Sequence, residues 1–171
     1  MRIIAGKLAG RHLAQVDDPR MRPTAEPVRG ALLDMLAPHL KKARVLDLFA
    51  GTGALGLEAI SRGAAYCDFV EFRPGSLHVL KANIALLRLK EKTRVFKRDA
   101  IPFAAQLDEG AYDLAFADPP YESKVLDRLY EGWKAKPFSR VLAVEHARTH
   151  KMPKGVAQRA FVDTTITIYE K

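Results

Sequence analysis

The stretch Asp118-Pro119-Pro120-Tyr121 follows directly on an apolar run at residues 114–117. The two prolines fix their own φ angles and remove two backbone N–H donors, leaving carbonyl oxygens that can only accept. Asp118 adds a carboxylate acceptor and Tyr121 a flat ring. Acceptors beside a stacking surface suit a planar group that carries an exocyclic amine, which describes a nucleobase. A rigid turn after a strand would account for the prolines alone, so the stretch takes its meaning from a second motif upstream.

Residues 45–58 read Val-Leu-Asp-Leu-Phe-Ala-Gly-Thr-Gly-Ala-Leu-Gly-Leu-Glu. An apolar strand ending at Phe49 or Ala50 runs into a glycine turn and at once into a helix-forming segment. Gly51, Gly53 and Gly56 thus satisfy G-x-G-x-x-G in the strand–turn–helix setting that gives the pattern meaning. Glu71 stands about 20 residues on, where an acid commonly holds ribose hydroxyls. Both a dinucleotide such as NAD and S-adenosylmethionine (SAM) are compatible with this. Asp47, inside the strand and expected near the pocket mouth, favours SAM. Its carboxylate would repel a diphosphate and attract an ammonium and a sulfonium, while the helix N-terminus can still receive the ligand's carboxylate. The predicted cofactor contacts are Asp47, Phe49, Gly51, Thr52, Gly53 and Glu71, with Asp99 accepting from the adenine amine and the Ala100 N–H meeting a ring nitrogen.

An aromatic amine is a poor nucleophile because its lone pair is delocalised into the ring. If Asp118 and the Pro119 carbonyl accept its N–H bonds, the lone pair is aimed at the donor methyl, and positioning with fixed acceptors supplies the rate. Asp118, Pro119, Pro120 and Tyr121 are therefore the predicted catalytic stretch, with Tyr121 stacking on the base. No metal is expected, since the five histidines and single cysteine show no ligand spacing.

The elements that must hold these residues alternate. Extended pieces at 2–4 and 12–16, punctuated by Gly6 and Gly10, predict an N-terminal hairpin or arm over 1–23. Thr24 is the expected N-cap of a helix reaching residue 36, with Pro27 in its first turn. Strands at 44–50, 66–71, 93–97, 112–117 and 140–145 alternate with helices at 54–62, 74–89, near 101–107 and at 124–134. Residues 156–169 form one or two closing strands. Such alternation predicts one α/β domain, its core at 24–171, with a mostly parallel sheet and helices on both faces. Asp47, Glu71, Asp99 and Asp118 then gather at one edge, where ligands of such sheets bind.

The net charge is +8 and the pI near 9.7. Residues 146–159 carry Arg148, Lys151, Lys154 and Arg159 with His146 and His150 and no acid, and a second run, 81–98, opposes seven cations to Glu91 alone. A basic loop on a basic chain predicts a nucleic-acid partner. With one cysteine, Cys67, no intrachain disulfide can form, and no long uncharged apolar run is present. Neither a membrane span nor a signal peptide is expected, so the protein is expected to be cytoplasmic, and a monomer.

Arg2-Ile3-Ile4-Ala5-Gly6, Arg22-Pro23-Thr24, Val28-Arg29, Asp47 to Gly53, Val70-Glu71 and Asp118 to Tyr121 together resemble the RsmD-type bacterial 16S rRNA (guanine-N2)-methyltransferases over nearly the whole chain. The resemblance implies a Rossmann-like SAM-dependent methyltransferase fold and methyl transfer to the N2 amine of one guanine in 16S rRNA, presented within a partly assembled small subunit. It places Arg22 and Thr24 near the target nucleotide, and Arg29 joins them as an expected RNA contact. An N6-adenine methyltransferase acting on DNA or RNA remains the nearest alternative. An NAD-dependent oxidoreductase and a non-catalytic RNA-binding protein are further ones.

Overall fold

The computed structural model describes residues 1–17, 24–120 and 124–171. Two helices, α1 (Glu26–Met35) and the single-turn α2 (Ala37–Leu40), lead into an alternating chain: β1 (Arg44–Asp47), α3 (Ala54–Ser61), β2 (Tyr66–Val70), α4 (Pro74–Leu86), β3 (Thr93–Phe96), α5 (Ala100–Ala105), β4 (Tyr112–Ala117), α6 (Val125–Ala135) and β5 (Ser139–Ala147). β6 (Ala157–Ala160) and β7 (Thr164–Glu170) close it. The seven strands form one sheet in the order β3-β2-β1-β4-β5-β7-β6. The first five run parallel, and β7 pairs antiparallel with both β5 and β6. This is the mostly parallel α/β architecture that the alternation predicts, with two closing strands.

Side-chain alternation explains the layers. Val45, Phe69, Leu114, Phe116 and Val141 point to one face and pack with Leu32 and Leu33 of α1, Leu57 of α3 and Leu80 of α4. Their neighbours Leu46, Val70, Ala115 and Leu142 point to the other face, against Phe103 of α5 and Leu129 and Trp133 of α6. The strand order reverses between β1 and β4. Beyond their C-terminal ends no crossover fills the gap, which leaves a crevice.

The N-terminal arm is a hairpin, bridged at Arg2 and His12 and by the bonds Ile3 N to Arg11 O and Leu13 N to Met1 O, both 2.9 Å. It lies on α3 through polar groups. Glu58, fully buried, accepts from the Ile4 amide at 2.8 Å and the Ala5 amide at 2.9 Å. The Ser61 hydroxyl accepts from the Leu8 amide and donates to the Ala5 carbonyl. Gly6, at φ 85°, lets the arm come this close, because a Cβ there would overlap the Ser61 backbone carbonyl. Asn83 of α4 holds the far end: its side chain bonds both the N–H and the carbonyl of Ala14 and donates to the Thr52 carbonyl at 3.0 Å.

Arg29 completes this layer. The sequence places it on RNA; the structure places it in the interior, 0% exposed, 3.7 Å from Glu58 and donating to the Arg2 carbonyl. It is a charge partner holding the arm and cannot touch a macromolecule.

The turn after β1 uses its three glycines differently. Gly51 (φ 54°) and Gly53 (φ 84°) supply the left-handed conformation. Gly56 instead permits close packing, since a Cβ there would overlap the Phe69 ring and the Cys67 sulfur. Asp47 braces the whole turn: its carboxylate accepts from the Gly56 amide at 3.1 Å and from the Phe49 amide.

Two measurements test this framework. Glu58→Ala leaves the Arg29 guanidinium buried without its counter-charge, so urea unfolding should show a loss of about 3–5 kcal/mol, with the Ile4 and Ala5 amides losing hydrogen-exchange protection. A loss below about 1 kcal/mol would mean that apolar contacts alone hold the arm. Asp47 has its pKa raised from 3.8 to about 7, chiefly by burial. Between those values the folded state keeps a proton that the unfolded chain releases, so this group's contribution to stability falls as pH rises from about 4 to about 7. Asp47→Asn should remove a slope of up to about 1.4 kcal/mol per pH unit in that window. Parallel stability–pH curves for the two proteins would contradict the assignment.

Candidate active site

The crevice at the ends of β1 and β4 is a cleft of about 460 Å³, within the roughly 300–1,000 Å³ range of small-molecule sites. Phe49, Gly51 and Thr52 from the glycine turn form its floor, and Asp118, Pro119 and Pro120 enter from the end of β4. Thr24 and Val28 come from the start of α1, Gln15 and Val16 from the arm, and Arg73, Glu145 and Thr164 from the remaining sides. The two motifs singled out in the sequence therefore meet in one cavity.

Asp118 is partly buried, and Thr24 donates its hydroxyl to Oδ2 at 2.6 Å. That bond explains why α1 starts without the expected threonine cap: Ala25 stands at the N-cap with no side-chain bond. Thr24 holds the carboxylate of the motif instead. Desolvation, the neighbouring Glu145 charge and the Asp47 charge raise the Asp118 pKa well above the usual carboxylate range, against the Thr24 bond that lowers it. Arg22 and Tyr121, placed at the site by sequence, lie outside the described residues.

Glu71, at the end of β2, is spent on backbone. Oε2 accepts from the Gly51 amide at 3.0 Å, and Oε1 accepts from the Phe72 and Arg73 amides, each at 2.9 Å. The Arg73 guanidinium lies against both oxygens at 3.3 and 3.4 Å. Because Arg73 also lines the cleft, it covers the carboxylate that the sequence assigns to ribose hydroxyls.

Several expected contacts are corrected. Asp47 does not stand at the pocket mouth; it is 2% exposed, lines no part of the cleft and is consumed in bracing the turn. The argument that its charge excludes a diphosphate therefore fails, although the glycine turn itself is where the sequence puts it. Gly53 serves as the left-handed N-cap of α3 beneath the cleft wall and does not line it. Asp99 caps α5 by accepting from the Ile101 amide at 3.0 Å, and Ala100 is buried in the second core. Neither reaches this cavity.

Glu145, Arg73, Thr164 and Gln15 were missed. Glu145 carried a usable signal, an acid on the predicted strand 140–145 at the same end of the sheet as Asp118. The basic residues Arg148, Lys151, Lys154 and Arg159 are all exposed, and the loop from 148 begins at the cleft end of β5. In the other basic run, Arg94 is tied to Asp68 at 2.6 Å. Among the described residues no helix is long and apolar enough to cross a membrane.

Comparison with known proteins agrees with this geometry. The family model described as Conserved hypothetical protein 95 matches residues 1–167. Ribosomal RNA small subunit methyltransferase D of Escherichia coli K12 is 39% identical over 140 residues, covering 79% of this chain and 70% of that protein. The solved structure of Escherichia coli yhhF superposes with a TM-score of 0.86 at 30% identity, covering 100% of this chain and 97% of that one. At 21% identity, the Thermus thermophilus 16S rRNA N2 G1207 methyltransferase (RsmC), solved with AdoMet and guanosine, shares the fold with a TM-score of 0.67 over 86% of this chain and 44% of its own. With the glycine turn and the Asp-Pro-Pro stretch in one cleft and a family match along almost its whole length, this chain belongs to the RsmD-type methyltransferase family.

Proposed function

We propose that this protein transfers a methyl group from SAM to the exocyclic N2 amine of a guanine in small-subunit rRNA. The observation that carries the reading is Asp118, held by Thr24 above the glycine turn at the point where the strand order reverses. The relatives named for small-subunit rRNA support the substrate class.

The cleft suits SAM in charge as well as size. Asp118 and Glu145 both line it, so its wall is acidic toward a cationic ligand without either carboxylate having to touch the sulfonium. Ala54 and Leu55 of the first turn of α3 line the cleft, where the helix dipole favours a carboxylate. When bound there, SAM supplies an electrophilic methyl group on a sulfonium. The protein's own part is positioning. Gly51 and Thr52 form the floor, and Glu71 can take ribose hydroxyls once the Arg73 guanidinium swings aside. Asp118 offers roughly four acceptor sites on its two oxygens, of which the Thr24 hydroxyl uses one. With the Pro119 carbonyl it accepts the amine's N–H bonds and turns the lone pair toward the methyl, and it stabilises the positive charge that grows on nitrogen. Tyr121 would stack on the base. The reaction needs no metal.

The exposed cations of the closing strands and their loop support a contact with RNA. Arg159 on β6 pairs with Ile166 on β7, which pairs with Glu145 on β5, so Arg159 stands two strand spacings, about 10 Å, from the cleft wall. Its guanidinium lies over the Phe161 ring at 5.3 Å. Arg148 begins the loop that leaves the cleft end of β5, and Lys151 and Lys154 follow along it as it returns to β7. We take the substrate to be a partly assembled small subunit in the cytoplasm, and the enzyme to work as a monomer.

Mass-spectrometric mapping of rRNA from cells with and without the protein should show the loss of one N2-methylguanosine from the small-subunit RNA. Loss of a methyladenosine instead would overturn the guanine assignment. Asp118→Ala should lower turnover by roughly 10²–10³-fold while SAM affinity stays within a few fold. Normal turnover would remove Asp118 from the mechanism. Replacing Lys151, Lys154 and Arg159 with Gln should weaken substrate binding and flatten its dependence on salt by about one unit of log–log slope per lost phosphate contact. An unchanged slope would place the RNA elsewhere.

A further inference from the structure

We propose that Glu145 reads the N1–H of the target guanine while Asp118 takes its N2 amine, so that the two side chains together select guanine over every other base. This rests on the guanine-N2 reading above and names the residue that enforces it.

The placement follows from the sheet. β4 and β5 run parallel with Ala117 opposite Val144. Those two side chains share the second core, and Phe116 and Ala143, one residue earlier, share the first. Asp118 and Glu145 are the next pair, on strands about 4.8 Å apart, and both line the cleft. Each is fixed by a threonine hydroxyl, Asp118 from Thr24 at 2.6 Å and Glu145 from Thr164 at 3.1 Å. The single Thr164 hydroxyl proton is shared between Glu145 Oε1 and the His146 carbonyl, the latter at 2.9 Å. Glu145 is only 4% exposed, yet it forms part of the wall. The Glu145 charge raises the Asp118 pKa, so the two carboxylates stand within electrostatic reach of each other on the same wall.

The chemistry of the bases says what such a wall can read. A base turned out of its helix is recognised along its Watson–Crick edge. Guanine presents the N1–H donor immediately beside the N2 amine, so two neighbouring acceptors match it. Adenine has a lone pair on N1 beside its N6 amine, and cytosine has one on N3 beside its N4 amine. In both, the ring nitrogen would face the Glu145 carboxylate as acceptor against acceptor. Glu145 therefore rewards guanine and penalises both other amine-bearing bases, as discrimination requires.

The test uses the full-length enzyme with SAM and small subunits whose mapped target is either guanine or 2-aminopurine. The latter keeps the N2 amine and carries a lone pair at N1. Wild-type enzyme should favour guanine by roughly 10- to 100-fold in kcat/KM. Glu145→Gln should lose about the same factor on guanine and gain on 2-aminopurine, because its amide can donate to N1, so the preference collapses. Melting temperature and SAM affinity of the variant confirm that it is folded. A guanine preference of one in the wild type overturns the inference whatever the variant does. An unchanged preference in Glu145→Gln overturns it too, and a raised KM for SAM with unchanged preference would assign Glu145 to the sulfonium. If the wild type methylates the N6 of an adenine and no guanine, the guanine-N2 reading itself has failed, an outcome distinct from the loss of discrimination alone.

Discussion

A carboxylate taken out of water must be met by donors or by a cation, and most of this molecule's polar architecture answers that requirement. Asp47 is met by the amides of Gly56 and Phe49. Glu58 is met by two amides of the arm and by Arg29 and Arg62. Glu71 is met by three amides and Arg73. Asp68 receives Arg94 and the Tyr112 hydroxyl at 2.7 Å. In each case the acid fastens a loop or an arm to the sheet, since the donors it needs come from chain that would otherwise be loose. Asp118 and Glu145, bonded by Thr24 and Thr164, differ in standing together at an open cleft, where a ligand can add to the partners they already have.

The same requirement links the arm to the chemistry. Glu58 and Ser61 seat the hairpin on α3, and Asn83 connects Ala14 to the carbonyl of Thr52 in the glycine turn. Gln15 and Val16 then reach the cleft wall, and Thr24, next in the described chain, bonds Asp118. The glycine turn is thus hydrogen-bonded to the arm, and Asp118 to the residue that leads into α1, although these pieces are distant in sequence.

The architecture was legible because apolar periodicity and short connections leave few ways to build a sheet. The strands at 66–70 and 112–117 fall almost where the pattern puts them, and the glycine and Asp-Pro-Pro motifs meet as expected. What the sequence hid was direction and partnership. Nothing local says that Asp47 turns inward to Gly56, that Arg29 is swallowed by the Glu58 pair, or that Thr24 bonds across 94 residues instead of capping its own helix. Asp99 shows the converse: its everyday role as a cap was visible in the sequence, and it caps α5. Glu145 escaped because an acid inside a strand signals a site only once its neighbouring strand is known, and that pairing is set by topology.

Gly56 carries a consequence for how this enzyme can vary. Its bare backbone lies where Phe69 and Cys67 leave no room for a methyl group. Even alanine would pry the amino end of α3 away from β2, and the bond from Gly56 to Asp47 would open with it. Gly51 and Thr52 hang from that same end of the helix, so the floor of the cleft would tilt although no residue lining it had been changed. The shape of the cleft floor is set from underneath, by an absence of atoms on the far side of the helix.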